Sequence, residues 1–430
     1  EFGYANHNFF WEGKEPGKWS DDAIWLIIAL NRYINATGDD AFLHQSCKMA
    51  GSNQERKILD TIKAIVKYSS EVSVGKHGMP LIDHADWNDC LTVDENTLRG
   101  EEKEEIYRKT GTYENDFSES VMNAFLLKAA IDDLMIIDEK LFDYKELSRN
   151  LYASLQENAW KHNFFARVLI NRAGEFSYLG AKGDKLSADQ KIDGTYFLNS
   201  FSWAIHSSSA TDEQIEIMLD SIEKFLKTTF GICLMSPADM GKIAKGVATA
   251  EYFPGDRENG GVFKHACMMA TSAMFRAAKT VSDNKLAKKL ADLAYWMLDL
   301  VFPFKNMENP YVLAGNPRFC TQYNNSETGE NIGPILSGTS TWLILSLYDA
   351  YGVEYMGHSI KLNPVLRETD TNFHYTISIC ESKYHITIEK PVGFYRMHDC
   401  AHTILADGEP AKQIEMKQDG KEHTILIKFL

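Results

Sequence analysis

Three segments hold most of the residue types that could act on a substrate. In LIDHADWNDCL, residues 81–91, the acids Asp86 and Asp89 stand on either side of Trp87 and Asn88, in a stretch with no helical or strand rhythm. Two readings are open. In the first, Trp87 fills the edge of a core while Asp86 and Asn88 cap turns by accepting backbone N–H groups. In the second, Trp87 packs against a sugar ring and one acid, its pKa raised by an apolar wall, donates a proton to a leaving oxygen.

YFPGDRENGGVFKHA, residues 252–266, crowds Asp256, Arg257 and Glu258 between glycine bends and sets His265 where a helix begins. Helix N-termini attract anions through unpaired N–H groups and the dipole, and histidine there adds a donor. A histidine that simply caps the helix is the plain alternative. In GPILSGTSTWLILSLYDAYG, residues 333–352, Ser337, Gly338 and Thr339 precede an apolar helix. Small hydroxyls and a glycine at that position suit an oxyanion cradle, or ordinary N-capping. The segment lacks the GxxxxGK[ST] spacing of a nucleotide loop, and the chain holds no HExxH, HxH or GxSxG; no metal is expected.

These segments lie in the long connections 73–96, 232–262 and 304–336, and long irregular connections inside a compact domain tend to be functional. Helical rhythm dominates between them. SDDAIWLIIALNRYINATGD begins with Ser20 as the expected N-cap, carries acids in its first turn and stops at Gly38. Similar periodicity covers 55–69, 117–136, 141–160, 198–206, 212–228, 264–281, 285–301 and 337–350. Helices that follow one another without a strand after each exclude a doubly wound parallel sheet. A strand pair is expected at 162–180 across the RAG turn, and beyond residue 356 the rhythm changes to period two. The fold class expected is mainly α, an α/α toroid followed by a small antiparallel β domain, with domains at 1–355 and 356–430.

Composition narrows the function classes. Apolar residues make up 44% of the 430 and charged residues 24%, a soluble globular profile. A net charge of −15 without a dense Lys/Arg cluster argues against nucleic acid and anionic membranes as partners. Seven dispersed cysteines with no CxxC fit free thiols in a reducing compartment, and the N-terminal residues carry no signal-peptide pattern, so a cytoplasmic location is expected.

Taken together, the segments resemble the inverting disaccharide phosphorylases of glycoside hydrolase family 94, the cellobiose and chitobiose phosphorylase group. WSDDAIWL is similar to that family's F/S-x-DD-x-LWL segment, GMPLIDHADWNDCL to its ADWNDCLN loop, YFPGDRENGGVFKHA to its ENGG stretch, and FCTQYNNSETGENIGPILSGTSTW to its QY and LTGTASW cradle. The order and wide spacing of these motifs agree across nearly the whole chain. The resemblance implies an (α/α)6 barrel followed by a small β domain. It implies Asp89 as general acid, Trp87 and Asp22 at the donor sugar and Glu258 at the acceptor sugar. His265, Gln322, Ser337 and Gly338 fall on phosphate-binding positions. Inorganic phosphate is then the co-substrate and nucleophile, no cofactor is needed, and a β-linked disaccharide or oligosaccharide yields an α-sugar 1-phosphate.

The sequence departs from the family in three places. Ser337 replaces the usual threonine, HACMMATSAM lacks the aromatic usual after the histidine, and the basic donor-site residue is missing. Family members also carry a β-sandwich, a linker and the first barrel helices ahead of the SDD segment, so the expectation is a barrel incomplete at its N-terminus, with the remainder supplied by another chain or by a longer one. The full-length family is expected to be homodimeric. An inverting hydrolase using water and a second carboxylate, Asp86 or Glu258, and a non-catalytic carbohydrate-binding fragment stay open as alternatives.

Overall fold

The computed structural model describes residues 3–5, 8–10, 13–15, 19–49, 53–94, 96–242, 252–302, 320–332, 338–370, 372–379, 381–397 and 400–430. The described residues form the helices α1 (Asp22–Thr37), α2 (Ile58–Lys67), α3 (Gly100–Thr110), α4 (Val121–Ile137), α5 (Lys145–Ser154), α6 (Leu198–His206), α7 (Asp212–Phe225), α8 (Lys264–Thr280), α9 (Asn284–Val301) and α10 (Thr339–Tyr351), all but α3 where an apolar rhythm recurs every three to four residues. Nine of these coincide with the segments expected from sequence. Helix α3 does not, because the residues it buries are Gly100, Lys103 and Glu104 rather than an apolar stripe. Its signals were electrostatic: Glu101 and Glu102 in the first turn, Arg108 and Lys109 in the last, and Gly111 as the left-handed stop.

The helices pack in two layers. Helices α1, α4, α6, α8 and α10 each touch the next, while α2, α5, α7 and α9 lie against α1, α4, α6 and α8 respectively. Burial follows from this. Helix α4 buries twelve of its residues and α8 fourteen, including polar Asn123, Thr271 and Ser272. The outer helices α7 and α9 bury a single apolar face and are charged opposite it. No helix among the described residues is long and apolar enough to cross a membrane.

The expected hairpin forms between Val168–Arg172 and Glu175–Leu179, and Glu119–Ser120 adds a third strand. The C-terminal region is the expected period-two sheet, with one correction. Its strands run in the order Phe373–Ile379, Ser382–Glu389, Glu422–Phe429, His402–Ala406, Glu409–Pro410, and Ser382–Glu389 pairs with Glu422–Phe429 in parallel. The sheet is mixed rather than antiparallel. The last strand enters between two strands that are already oppositely directed, so it must run parallel to one of them. A second apolar core, including Val353, Ile360, Ile386, Ile425 and Ile427, lies under these strands. The hairpin Val353–Tyr355 with Ser359–Leu362 runs across residue 356.

Arg396, 4% exposed, ties this region to the helices. Its guanidinium donates to the carbonyls of Ala278 (3.0 Å) and Val281 (2.8 Å) at the C-terminal end of α8, and to Asn284 Oδ1 (2.5 Å) at the start of α9. A cation at the negative end of a helix is stabilising in its own right. Arg396→Ala leaves those acceptors unpartnered and is expected to cost about 2–3 kcal/mol, read as a lowered thermal midpoint together with faster amide exchange in the last turn of α8.

Candidate functional site

The loop at 81–91 is held by burial and by charge. Leu81, Ile82, Ala85, Cys90 and Leu91 are fully buried, and Ile82, Cys90 and Leu91 join Val168, Leu179, Phe197 and Met235 in an apolar cluster of their own. Asp86 is also fully buried. Both its oxygens accept from Arg167, itself completely buried, at 2.5 Å; Ser120 Oγ donates at 2.6 Å and the Asn88 N–H at 3.1 Å. Asn88 Oδ1 accepts the Cys90 N–H at 2.9 Å. Asp86 and Asn88 therefore have the turn-building role of the plain reading. Trp87 is half-buried and Asp89 is exposed. Three residues before Asp86, Asp83 adopts a left-handed conformation (φ 57°) and pairs with the buried Lys103 of α3.

Around this loop the N-terminal ends of four inner helices converge. At α1, Ser20 Oγ donates to Ile82 O (2.9 Å) and accepts from Asn123 Nδ2 of α4 (2.8 Å). Ser20 thus bridges elements instead of capping α1, where Asp21 occupies the N-cap position. Burial, then Asp86 and Asp22, push the Asp21 carboxyl well above the usual range, and Trp25 Nε1 donates to it at 2.7 Å. Asp22 follows in the first turn of α1, half-buried. Ser120, in contrast, caps α4, accepting the Asn123 N–H at 3.0 Å while it donates to Asp86.

At α8, the Trp87 ring stands edge-to-face against Phe263 (5.2 Å) and His265 (5.0 Å). His265 in turn lies against Gly338 at the start of α10. A methyl group on Gly338 would sit 2.3 Å from the imidazole, so only glycine permits this approach. Burial lowers the His265 pKa to about 3, which leaves the ring neutral with one N–H to give. Beside it Lys264, also lowered by burial to about 8, donates to Thr321 Oγ1 at 3.0 Å. Gln322 sits next to this end of α8, its carbonyl accepting the Lys264 N–H at 2.9 Å. Ser337 lies outside the described residues.

Glu258 enters on the loop before α8, where Gly261 passes so close to Arg257 that a side chain would meet its backbone at 2.6 Å. The Glu258 carboxyl is buried, and its Oε2 has no hydrogen-bond partner. Burial and then the charge of Asp89 raise its pKa to about 7, an effect that Cys90 partly offsets. Tyr323, raised by burial and by both Glu258 and Asp89, faces the same space. Trp19 Nε1 donates to Asp89 Oδ1 at 2.7 Å. Asp89, Trp87, Glu258, His265 and Gly338 are thus linked through shared neighbours, with Asp22 and Gln322 at the adjoining helix ends. Sequence reasoning did not find Arg167, Lys264, Trp19 or Tyr323. The last three stand inside quoted motifs, but nothing in residue type marks them. Six cysteines, Cys47, Cys90, Cys233, Cys267, Cys320 and Cys400, are free thiols.

The sequence matches the profile of the glycosyl hydrolase 94 superfamily catalytic domain over residues 11–350. It is similar to an N,N'-diacetylchitobiose phosphorylase of Vibrio proteolyticus, 24% identical, with 95% of this chain and 47% of that protein aligned. A 3-O-beta-D-glucopyranosyl-beta-D-glucuronide phosphorylase of Paenibacillus borealis is 24% identical over 96% of this chain and 50% of its own length. A solabiose phosphorylase of the same organism is 24% identical over 83% and 43%. The chain spans about half the length of the relatives it matches.

Two outcomes follow from this geometry. Arg167→Met strands a buried carboxylate and is expected to cost about 3–5 kcal/mol, with part regained when Asp86→Asn is added; urea unfolding midpoints of the single and double variants check this. For Glu258 the folded pKa of about 7 lies above its ordinary value of 4.5, so the folded state binds the proton more tightly. Its contribution is full below that window and is lost as pH rises through it, about 3 kcal/mol in all. Glu258→Gln is expected to flatten the fall in melting temperature between those pH values.

Proposed function

Because the chain belongs to the glycosyl hydrolase 94 superfamily, we propose that it carries the catalytic part of an inverting phosphorylase acting on a β-linked disaccharide or oligosaccharide. The helices are read as the greater part of an (α/α)6 barrel whose active end is the end where α1, α4, α8 and α10 begin. Asp89 is the general acid. Its proton passes to the glycosidic oxygen as the bond from the anomeric carbon breaks and the bonding electrons stay with that oxygen. An oxygen of inorganic phosphate forms the new bond from the opposite face, which gives an α-sugar 1-phosphate and a free sugar; the carboxylate then regains a proton from solvent. Phosphate supplies the negative charge that an inverting hydrolase takes from a second carboxylate.

The observation that carries this reading is the contact chain from Trp87 through His265 to Gly338. It brings the loop bearing the exposed acid against two helix N-termini, whose dipoles favour a phosphate. Trp87 and Asp22 are assigned to the donor sugar. His265, Gln322, Gly338 and Ser337 are assigned to phosphate, His265 as a neutral N–H donor. Glu258 is assigned to the acceptor sugar, a role supported by its buried oxygen without a protein partner. The names of the relatives, all disaccharide phosphorylases, support phosphorolysis over hydrolysis.

The test is a panel of β-disaccharides assayed with and without phosphate, on this chain and on one extended at its N-terminus. Sugar 1-phosphate is expected only when phosphate is present, and Asp89→Asn is expected to lower its release by about a thousandfold, within the range of general acid catalysis. Equal sugar release without phosphate would replace the phosphorylase with a hydrolase.

A further inference from the structure

Trp19 precedes α1 by three residues, and its backbone bridges to Asp83 and to Ala85, on the approach to Asp86 and Asp89. Its indole stands edge-to-face on His84, ring centres 5.4 Å apart, and its Nε1–H donates to Asp89 Oδ1 at 2.7 Å. Asp83 is fixed in turn by the ion pair with Lys103, whose ammonium also donates to Ser73 Oγ at 3.1 Å. The indole is therefore mounted on a buried charged support and not on a free loop end.

Resting on the assignment of Asp89 as the proton donor, we propose that Trp19 is its positioning residue: the indole N–H holds Oδ1, so that the transferable proton sits on Oδ2 and is delivered in one orientation. A carboxyl group that accepts an N–H on one oxygen carries its proton on the other. As that proton leaves, the new carboxylate keeps a charge-assisted bond to the indole, which favours the charged form. The opposing influence comes from the loop before α8, where Glu258 shares a like-charge interaction with Asp89. Cys90 and Tyr323 also face Asp89, and Arg257 faces Glu258. The Trp19 N–H opposes that like charge at Oδ1.

Trp19→Phe keeps an aromatic ring and removes the N–H. It is expected to move the basic limb of the pH profile of phosphorolysis up by about one unit and to lower kcat roughly tenfold, with KM for phosphate unchanged. An unmoved pH profile, or a loss carried by KM alone, would overturn the proposal. A second measurement leaves the residue in place. With fluorotryptophan at position 19 alone, the fluorine resonance is expected to titrate with pH and to become flat in Asp89→Asn; a resonance indifferent to that substitution overturns the link. Retained turnover in Asp89→Asn would remove the proton-donor role itself while the fluorine titration persisted, so the two failures are told apart.

Discussion

The ion pair between Asp86 and Arg167 is the constraint on which the site depends. Removing both charges from water is costly, and the pair is tolerated because each carboxylate oxygen meets a guanidinium nitrogen while Ser120 and the Asn88 N–H complete the shell. Arg167 comes from the edge of the Val168–Arg172 strand and Ser120 from the start of α4, so a single side chain on the loop is tied to two elements. With Asp86 and Asn88 drawn inward, Trp87 and Asp89 are turned outward. The alternation of buried and exposed positions from 86 to 89 is thus set by charge and hydrogen bonds in a segment with no strand to impose it.

Once that loop is fixed, the inner helices decide the electrostatics. A chain of net charge −15 must hold an anion-attracting region somewhere if it is to bind phosphate. Among the described side chains at the start of α8, burial keeps His265 neutral and the Lys264 ammonium is directed to Thr321. The backbone contributes as well, through the N-terminal ends of α8 and α10 brought together by the absence of a side chain at Gly338. Such a source does not titrate. The neighbouring acids do, since Asp21 and Glu258 are both pushed toward their neutral forms by burial.

Much of this was legible in the sequence, and the rest was not for identifiable reasons. Nine helices showed their apolar periodicity; α3 lacked one because it buries Lys103 and Glu104 against partners distant in sequence. Period two marked the C-terminal strands, but strand direction depends on where the last strand inserts, which alternation does not encode. Asp89 and Asp86 were distinguishable only through a family pattern, because nothing local to DWND reveals that an arginine 81 positions away claims one of them. Ser20 looked like an N-cap and has the right residue type for one, yet its hydroxyl is taken by Ile82 and Asn123. Local chemistry failed at points where long-range partners decide the outcome.

With Asp89 as the proposed proton donor, the site restricts what can stand opposite it. A base that activates water needs a carboxylate oxygen free to accept a proton and access to the substrate. Asp86 has neither, since both oxygens are committed to Arg167 and the side chain is closed to solvent. Glu258 has an unpartnered oxygen and a pKa raised to about 7 by burial and the neighbouring Asp89, which is compatible with a base as well as with a group that meets a sugar hydroxyl, so the requirement for phosphate, and not its titration, separates the two roles. Asp22 stands in the first turn of α1, beside the buried Asp21. An anion brought in from solution, seated at paired helix ends, asks less of these residues than either carboxylate acting as a base.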